Sequence, residues 1–173
     1  MIEEQSIHAL RTVLSTLEEQ IKPLQKRLYD ASKDEKFNEK KKLAMSVTGI
    51  GAKTAEAILL VTNGLDDFSN ASKLAKFIGI TPYSHQSGSS VRQKGRITKF
   101  GNSELRSLLY MCTVSAIKYN IACKNIYDRM RKNGKPHKVA AVAVMHKLIK
   151  QVFACVKNET MFDNEYHLKS TKS

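Results

Sequence analysis

The chain has 173 residues, of which 42% are hydrophobic and 26% charged, a composition typical of a globular protein with a hydrophobic core. Its net charge is +13, and nearly all of the excess lies in residues 86–150, which contain 14 basic and 2 acidic side chains. Three cysteines without a CxxC pair and five histidines without an HxxxH pair exclude a disulfide framework and a zinc site, while 8 Gly and 3 Pro favour long helices over many short strands.

Residues 2–40 carry an apolar seam whose members are separated by alternating steps of three and four positions. The members are Ile7, Leu10, Leu14, Leu17, Ile21, Leu24 and Leu28. This heptad seam predicts a helix that pairs with another helix, in the same chain or in a second copy. The alternative is an amphipathic helix that packs on its own domain.

Two features are expected to interrupt this helix. Pro23 lies inside the seam, lacks a backbone donor and is expected to kink the helix near residues 19–23. Residues 30–42 are polar and are expected to fray or to form a loop. We therefore assign residues 1–42 to a coiled-coil helix and a linker.

Two glycines, Gly49 and Gly51, flank a single aliphatic residue between two apolar stretches. The pattern predicts a helix that ends near Val47, a tight hairpin, and a second helix that begins near Ala52. In a helix-hairpin-helix of this kind, the amides at the start of the second helix bind a phosphate oxygen, and Lys53 adds positive charge. The alternative is an ordinary turn between two packed helices, because a GxG sequence alone is a weak signal.

Four helices are predicted after the hairpin. They cover part of residues 66–82, residues 102–119, residues 122–132 and residues 137–157. Ser69 or Asn70 is a candidate for the cap of the first helix and Gly79 for its end, and Asn102 is a candidate for the cap of the second helix. The last helix is apolar on most sides, so it is expected to form the centre of a domain over residues 43–158. The tail, residues 159–173, is expected to be disordered.

Residues 83–101 are the least regular part of the chain and combine serines, glycines and basic residues. A loop or a loose ribbon is expected there. Ser87 is the candidate nucleophile, because it lies beside Gly88 and shortly before several cations that can surround the oxygens of a phosphodiester. The alternative is a solvated basic loop that only holds phosphate, and the sequence does not decide among Ser87, Ser89 and Ser90.

The concentration of positive charge in residues 86–150 predicts a polyanionic partner, and nucleic acid is the leading candidate. The alternatives are a basic face that serves solubility and a surface for acidic lipid. The two acidic residues of this segment, Glu104 and Asp128, form no metal-binding cluster, so a self-contained two-metal nuclease is not expected.

The start of the sequence and its hydropathy favour a cytoplasmic protein. Glu3 and Glu4 stand where a secretory leader needs basic residues and an apolar run. No uninterrupted apolar run reaches the roughly 18 residues that a membrane span needs. We therefore expect no membrane partner.

Three stretches of the sequence, in this order, resemble one known family. They are Ser-Val-Thr-Gly-Ile-Gly over residues 46–51, Phe-Ile-Gly-Ile-Thr-Pro over residues 77–82, and Ser87-Gly88 with Lys-Gly-Arg-Ile-Thr-Lys over residues 94–99 and Gly101-Asn102 after it. These stretches and their order are similar to those of the C-terminal transposase domain of the IS one-ten family. That family comprises the bridge-RNA-guided insertion-sequence recombinases, which are related to Piv-type DNA invertases. The resemblance covers about residues 43–157, and the heptad helix looks like the coiled coil that joins the two domains of that family.

The resemblance implies that the serine of the Ser-Gly motif, here Ser87, attacks DNA and becomes covalently joined to it during strand cleavage and exchange. It implies that Gly88 lets the backbone approach DNA. It also implies that the helix-hairpin-helix, with Gly49, Gly51 and Lys53, grips duplex backbone or guide RNA. The residues that would hold phosphates are Arg92, Lys94, Arg96, Lys99 and Arg106.

The resemblance further implies an N-terminal RuvC-like domain with acidic residues that bind Mg²⁺. This sequence opens almost directly on the heptad helix, so we expect an expressed fragment or a truncated element. No metal or other cofactor is expected in this chain, and no strand transfer is expected from the chain alone. The expected partners are DNA, a guide RNA and a second copy of the chain that pairs through the heptad helix.

The expected fold is mostly α-helical, with an N-terminal coiled-coil helix followed by a helical domain that contains a helix-hairpin-helix and a basic serine- and glycine-rich loop. Two functions remain open, and a third role, oligomerisation through the heptad helix, is compatible with the first of them. The first is the catalytic C-terminal part of an insertion-sequence transposase, which requires the Ser-Gly motif. The second is a non-enzymatic helix-hairpin-helix module that binds DNA or RNA and requires only the hairpin and the basic segment.

Overall fold

The fold is built almost entirely from helices, which confirms the mostly α-helical prediction. The computed structural model describes residues 2–32, 34–83, 96–97 and 100–166. The helices are α1 (Ile2–Ser32), α2 (Glu35–Ser46), α3 (Ala52–Val61), α4 (Ala71–Ile78), α5 (Ser103–Tyr119), α6 (Ile121–Lys132) and α7 (His137–Lys157), with a 3-10 helix over Asn63–Leu65. The strands β1 (Pro82–Tyr83) and β2 (Arg96–Ile97) pair antiparallel, with Pro82 opposite Ile97 and Tyr83 opposite Arg96.

The chain divides into two compact units, Met1–Asn38 and Glu39–Ser173. In the first unit, α1 continues through Pro23 as a single helix. Five members of the heptad seam expose between 47% and 64% of their surface, and they are Ile7, Leu10, Leu14, Leu17 and Ile21. The structure does not describe the side chains of the other two members, Leu24 and Leu28. Pairing of α1 into a coiled coil stays a prediction.

The prediction of a loop over residues 30–42 is wrong for most of that range, because α2 begins at Glu35. The polar sequence of α2 finds its partners far along the chain. Lys40 Nζ lies 2.8 Å from a carboxylate oxygen of Asp66, and Lys41 Nζ lies 2.6 Å from Glu56 Oε2. The polarity of the local sequence does not indicate these contacts, which hold two lysines of α2 against elements that follow later in the chain.

The predicted helix boundaries in the second unit are confirmed at the caps. Asn70 Oδ1 accepts from the amide of Lys73 at 2.9 Å at the start of α4, and Gly79 ends that helix with φ of 81°. Asn102 Oδ1 accepts from the amide of Leu105 at 2.9 Å at the start of α5. Each cap supplies a partner to a helix end that lacks one within the helix.

The core of the second unit forms around α7, as its apolar sequence predicted. The helix packs against α4, α5 and α6, and ten of its residues are buried. Within the described part of the chain, α7 is the one helix long and apolar enough to cross a membrane, and 56% of that apolar window is buried inside the protein. Burial on this scale is what the central helix of a helical domain requires.

The segment after α7 is hydrogen-bonded to the rest of the domain as far as the structure describes it. The amide of Phe162 donates to Ser46 Oγ at 3.0 Å. Asn164 Oδ1 accepts from the amide of Ile121 at 3.0 Å, and its Nδ2 donates to the Tyr119 carbonyl at 2.9 Å. The disorder predicted from residue 159 therefore does not describe this stretch, and the rest of that prediction, residues 167–173, lies outside the described residues.

The thiol of Cys123 is predicted to resist alkylation while the protein is folded. Burial raises its pKa from 9.0 to about 12, although the charge of Lys147 opposes the shift. Because the thiolate is the reactive form, alkylation near pH 8 is expected to be roughly a thousandfold slower than in the unfolded chain. Peptide mass spectrometry after timed exposure to iodoacetamide measures this rate.

The same protein in urea is the control for the alkylation rate, and equal rates in the two conditions would contradict the burial of this thiol. The shift also has a consequence for stability. Between pH 9 and about 12, the unfolded chain releases the Cys123 proton while the folded chain retains it, so the free energy of unfolding is expected to fall over that interval.

Candidate nucleic-acid interface

The basic loop after α4 has a closed base. β1 leaves the end of α4 and pairs with β2, so residues 83 and 96 are held side by side. On the far side of the ribbon, the chain returns to α5, whose start is hydrogen-bonded to the end of α4 through the amide of Asn102 and the carbonyl oxygen of Phe77, at 3.4 Å. The two ends of the serine-containing segment are therefore fixed to one point of the helical domain.

Two glycines make this close crossing possible. Gly79 and Gly101 have φ of 81° and 141°, which L side chains rarely adopt. A Cβ on Gly79 would lie 2.5 Å from the carbonyl oxygen of Phe100, and a Cβ on Gly101 would overlap the carbonyl oxygen of Phe77. The backbones of α4 and of the segment before α5 therefore touch directly, and this contact sets where the loop begins and ends.

Arg106, a candidate phosphate ligand, has an intramolecular partner at the same crossing. Its Nη1 donates to the carbonyl oxygen of Ile78 at 2.9 Å, and the residue is half-buried. The bond satisfies one of the carbonyl groups that the end of α4 leaves without a helical partner. Arg106 thus supports the base of the loop, and its remaining guanidinium donors carry the charge that a phosphate can use.

The turn between α2 and α3 is packed on one side and open on the other. Gly49 has φ of 107°, and a Cβ there would lie 2.8 Å from the Cβ of Ala116 in α5. Ile50 is buried, with 6% of its surface exposed. At Gly51, by contrast, an added Cβ would meet nothing within 4 Å. Gly49 therefore serves close packing on α5, while Gly51 leaves the start of α3 accessible.

The start of α3 has the features that phosphate binding needs. Its N-cap is Gly51, which has no side chain to occupy the first amides of the helix. Lys53 is exposed in the first turn. Free amides and a lysine at a helix N-terminus attract an anion without reading any base. The predicted hairpin can therefore hold a phosphate at Gly51 and Lys53, while Gly49 packs against α5.

A buried side-chain amide, which the sequence analysis did not identify, holds the turn in place. Asn120 lies between α5 and α6, and its Nδ2 donates to the carbonyl oxygen of Thr48 at 3.1 Å and to Gln151 Oε1 at 3.0 Å. Its Oδ1 accepts from the amide of Cys123 at 3.2 Å. An asparagine just before a predicted helix is a recognisable N-cap signal, but its bond to the distant turn is not visible in the sequence.

The loop base and the turn lie near opposite ends of α5. Asn102 caps the start of α5 at the loop base, and Ala116 contacts the turn near its end. With a rise of 1.5 Å per residue, the two points are about 21 Å apart along the helix axis. That span corresponds to about six base pairs of duplex DNA, so one duplex is long enough to reach both.

Several predicted site residues lie outside the described residues, and these are Ser87, Gly88, Arg92, Lys94 and Lys99. The backbone of Arg96 is described as part of β2, although its side chain is not. In the part of the chain that is described, no group of three or more His, Cys, Asp or Glu side chains is arranged to hold a metal ion. The resemblance places Mg²⁺ in a separate N-terminal domain, so no step is assigned to a metal held by this chain.

Comparison with known proteins identifies one family, and several longer relatives, to which the sequence is similar. Residues 41–128 match the model of a family described as Transposase IS116/IS110/IS902 family. Pilin gene-inverting proteins from Moraxella lacunata and Moraxella bovis are 34% and 33% identical to the chain over 133 residues. An uncharacterized 43.6 kDa protein of insertion element IS110 from Streptomyces coelicolor is 26% identical over 119 residues.

These relatives are longer than the chain. The alignments with the pilin gene-inverting proteins cover 76% of the chain and 41% of each relative. The alignment with the Streptomyces coelicolor protein covers 69% of the chain and 29% of that protein. The chain thus spans about two fifths of the length of the pilin gene-inverting proteins that it matches.

Substitution of Gly79 tests the crossing at the loop base, with Gly134 as the matched control. Both glycines have similar positive φ, 81° and 72°, but an added Cβ at Gly134 meets nothing within 4 Å. Gly134→Ala is expected to lower the free energy of unfolding by about 1–2 kcal/mol, the cost of the left-handed conformation. Gly79→Ala is expected to cost about 1–3 kcal/mol more, because the methyl group overlaps backbone.

Urea unfolding of the two variants, followed by circular dichroism, measures the difference. Equal losses of stability in Gly79→Ala and Gly134→Ala would mean that α4 and the segment before α5 do not touch as described.

Proposed function

The chain belongs to the transposase IS116/IS110/IS902 family, and from this premise we propose that it is the DNA-binding catalytic C-terminal part of an insertion-sequence transposase or DNA recombinase. In this proposal, Ser87 is the nucleophile for DNA strand cleavage and exchange. The observation that carries the proposal is the closed base of the basic loop. The Gly79–Gly101 crossing and the β1–β2 ribbon hold both ends of the segment that contains Ser87 at one point of a rigid helical domain.

The proposed step is a transesterification at phosphorus. The hydroxyl oxygen of Ser87 forms a bond to the phosphorus of a DNA phosphodiester, and the bond from phosphorus to one sugar oxygen breaks. The serine proton leaves to a base, and the departing sugar oxygen takes up a proton. Attack by a sugar hydroxyl of another strand reverses the sequence, frees Ser87 and joins the new strand. No net oxidation or reduction occurs.

The cations of the loop have a direct role in this proposal. Arg92, Lys94, Arg96 and Lys99 are close to Ser87 in sequence, and cations around a phosphoryl group stabilise the charge that develops on its oxygens. Gly88 presents no side chain to obstruct the approach of the DNA backbone. Arg106 contributes from the base of the loop, where the carbonyl of Ile78 fixes one of its nitrogens.

The turn around Gly51 is proposed to be the second point of contact with the DNA backbone. Its support is the accessible start of α3, the exposed Lys53, and the packing of Gly49 that holds the turn on α5. Contacts of this kind bind any duplex and set its position, because they involve phosphate oxygens rather than base edges. A guide RNA that supplies base pairing, Mg²⁺ held by an acidic domain, and a cytoplasmic location belong to the same proposal.

A binding module without catalysis is the second candidate function. It is favoured by the accessible start of α3, where Gly51 and the exposed Lys53 can hold a phosphate without any nucleophile. This module would use Gly51, Lys53 and the basic segment to hold nucleic acid, while the chemistry would be performed by another protein. The formation of a covalent protein–DNA bond distinguishes the first function from the second.

Replacement of Ser87 by alanine is expected to abolish a covalent protein–DNA complex. The chain is joined to an acidic RuvC-like half from the same family, incubated with DNA of the element ends, and analysed on a denaturing gel. Wild type is expected to yield a protein band that carries DNA, since the serine oxygen remains bonded to phosphorus. Ser87→Ala is expected to show no such band and to bind DNA as tightly as wild type.

The matched controls are Ser89→Ala and Ser90→Ala in the same loop, both of which are expected to keep the covalent band. A band that persists in Ser87→Ala and disappears in one control would transfer the nucleophile to that serine. Tight DNA binding with no covalent band in any protein would support the binding module.

The exposed heptad seam of α1 is proposed to pair with the same seam of a second copy. Leu14 and Leu17 expose 58% and 53% of their surface, and the alternation of three and four positions brings such residues to one face of a helix. Pairing two seams removes this apolar surface from water, which is favourable by about 25 cal/mol per Å² buried.

Replacement of Leu14 and Leu17 by aspartate is therefore expected to reduce the mass of the protein in solution to that of a monomer. Light scattering after size-exclusion chromatography measures the mass. The control is Thr12→Asp with Ser15→Asp, which adds the same two negative charges at exposed positions of α1 and keeps the seam intact. If the seam variant keeps the mass of wild type, pairing of two copies through α1 is ruled out.

A further inference from the structure

The proposed function uses only part of the positive charge in the chain. The loop that contains Ser87 holds four of the 14 lysines and arginines in residues 86–150, and most of the others lie in later helices. The densest group is in residues 124–138, which contain six basic residues and one acidic residue, Asp128. This segment is the end of α6, a short turn and the start of α7, and most of it lies beyond residues 41–128 that match the family.

The turn between α6 and α7 is rigidly built. Gly134 has φ of 72°, and its amide donates to the carbonyl of Arg131 at 3.0 Å. The amide of Lys135 donates to the carbonyl of Met130, also at 3.0 Å. These two bonds form the Schellman motif that ends a helix. Arg131 Nη1 also donates to the Lys135 carbonyl at 2.8 Å, so the turn has one defined backbone conformation.

A histidine joins three helices at this turn. The hydroxyl of Tyr127 in α6 lies 2.8 Å from His137 Nδ1, and the hydroxyl of Tyr110 in α5 lies 3.4 Å from His137 Nε2. The rings of Tyr127 and His137 also pack edge to face, with centroids 5.7 Å apart. Because His137 is the first residue of α7, these contacts fix the start of that helix against α5 and α6.

The stability of the helices does not account for this charge. Arg129, Arg131 and Lys132 lie in the last turn of α6, where positive charge is favourable to the helix dipole. Lys138 lies in the first turn of α7, where positive charge is unfavourable, and Lys135 lies just before it. Among the described residues, no ion pair joins these five side chains to an acidic group. Within the described part of the chain, the helix dipole therefore accounts for the three charges of α6 but not for Lys135 and Lys138.

The turn lies on the same side of α5 as the base of the catalytic loop. Arg106, which supports that base, and Tyr110, which contacts His137, are four positions apart on α5. Residues at this spacing lie on one face of a helix with their Cβ atoms about 6 Å apart. The basic turn is therefore continuous with the loop base through one helical turn of α5.

We propose that the α6–α7 turn, with Lys132, Lys135 and Lys138, is a phosphate-binding surface that extends the loop's contact along a nucleic-acid backbone. The surface binds duplex DNA through its phosphates and reads no sequence. It rests on the proposed function, because the nucleic acid it holds is the one that the loop acts on. The turn and the His137 contacts fix the backbone that carries these lysines, so only their side chains need to become ordered when phosphate binds.

The test compares two double variants that each remove two positive charges. Lys135→Gln with Lys138→Gln alters the proposed surface, while Lys36→Gln with Lys42→Gln alters exposed lysines of α2 and serves as the matched control. Binding to a short duplex DNA of arbitrary sequence, and to an RNA hairpin of equal stem length, is measured against salt concentration. Circular dichroism first establishes that both variants are folded.

The surface variant is expected to bind more weakly and to reduce the slope of log K against log salt by about 2 for duplex DNA, roughly 0.9 for each lost phosphate contact. The control variant is expected to keep the slope of wild type. The loss of affinity is expected to be larger for duplex DNA than for the RNA hairpin, and a larger loss with RNA would overturn the assignment of this surface to DNA. Equal slopes for the two double variants would overturn the proposal.

A third variant separates this inference from the proposed function. Lys94→Ala with Arg96→Ala and Lys99→Ala removes charge from the loop itself. If the loop variant loses binding while the surface variant matches wild type, the proposed function stands and the inference fails. If wild type binds neither DNA nor RNA, or binds only vesicles of acidic lipid, both fail.

A measurement on wild type avoids any effect of substitution on folding. Acylation of lysines by an N-hydroxysuccinimide ester, read by mass spectrometry, is expected to decrease at Lys135 and Lys138 when nucleic acid is added. Acylation of Lys36 and Lys42 is expected to stay unchanged. Equal acylation of all four lysines with and without nucleic acid would overturn the proposal.

Discussion

The arrangement of the second unit depends on the buried side-chain amide of Asn120. It joins three parts of the chain at once: the carbonyl of Thr48 in the turn before α3, the side chain of Gln151 in α7, and the amide of Cys123 at the start of α6. A buried polar group that loses its partner costs about 1–3 kcal/mol. An alternative packing that separates these parts would leave several such groups unpaired and would therefore be less stable. The turn around Gly49 thus has one position relative to α5 and α7, and Ala116 leaves no room for a side chain there.

That constraint makes α5 the element that relates the two candidate contacts with DNA. At its start, Arg106 and the Gly79–Gly101 crossing fix the base of the serine-containing loop. Near its end, Asn120 and Ala116 fix the turn before α3. A stiff helix between two points about 21 Å apart keeps their separation constant. A loop that performs chemistry needs a rigid scaffold, and α5 with the α7 core against which it packs would provide one for the proposed catalytic loop.

The sequence predicted the features that depend on neighbouring residues and missed those that depend on distant ones. The caps at Asn70 and Asn102 bond to amides three positions later, so their residue types were sufficient to predict them. The start of α2 was predicted to be a loop, because its sequence is polar and the partners of its lysines lie 15 and 26 residues away. The bond from Asn120 to Thr48 spans 72 positions. The pattern of glycines indicated where the chain turns tightly, but the groups that those glycines approach were visible only in the fold.

The nature of the contacts limits what this chain can recognise by itself. The side chains assigned here to DNA, from Lys53 to Lys138, are lysines and arginines supported by backbone amides and glycines, and such groups bind phosphate oxygens that are the same at every base pair. They raise affinity and make it dependent on salt, but they contribute little discrimination between sequences. A recombinase that acts at defined sites therefore needs a separate reader, and base pairing with an RNA strand provides one without any further base-specific side chain. In the proposed function, a backbone surface such as the α6–α7 turn is an advantage, because it would hold whichever duplex the pairing selects close to Ser87.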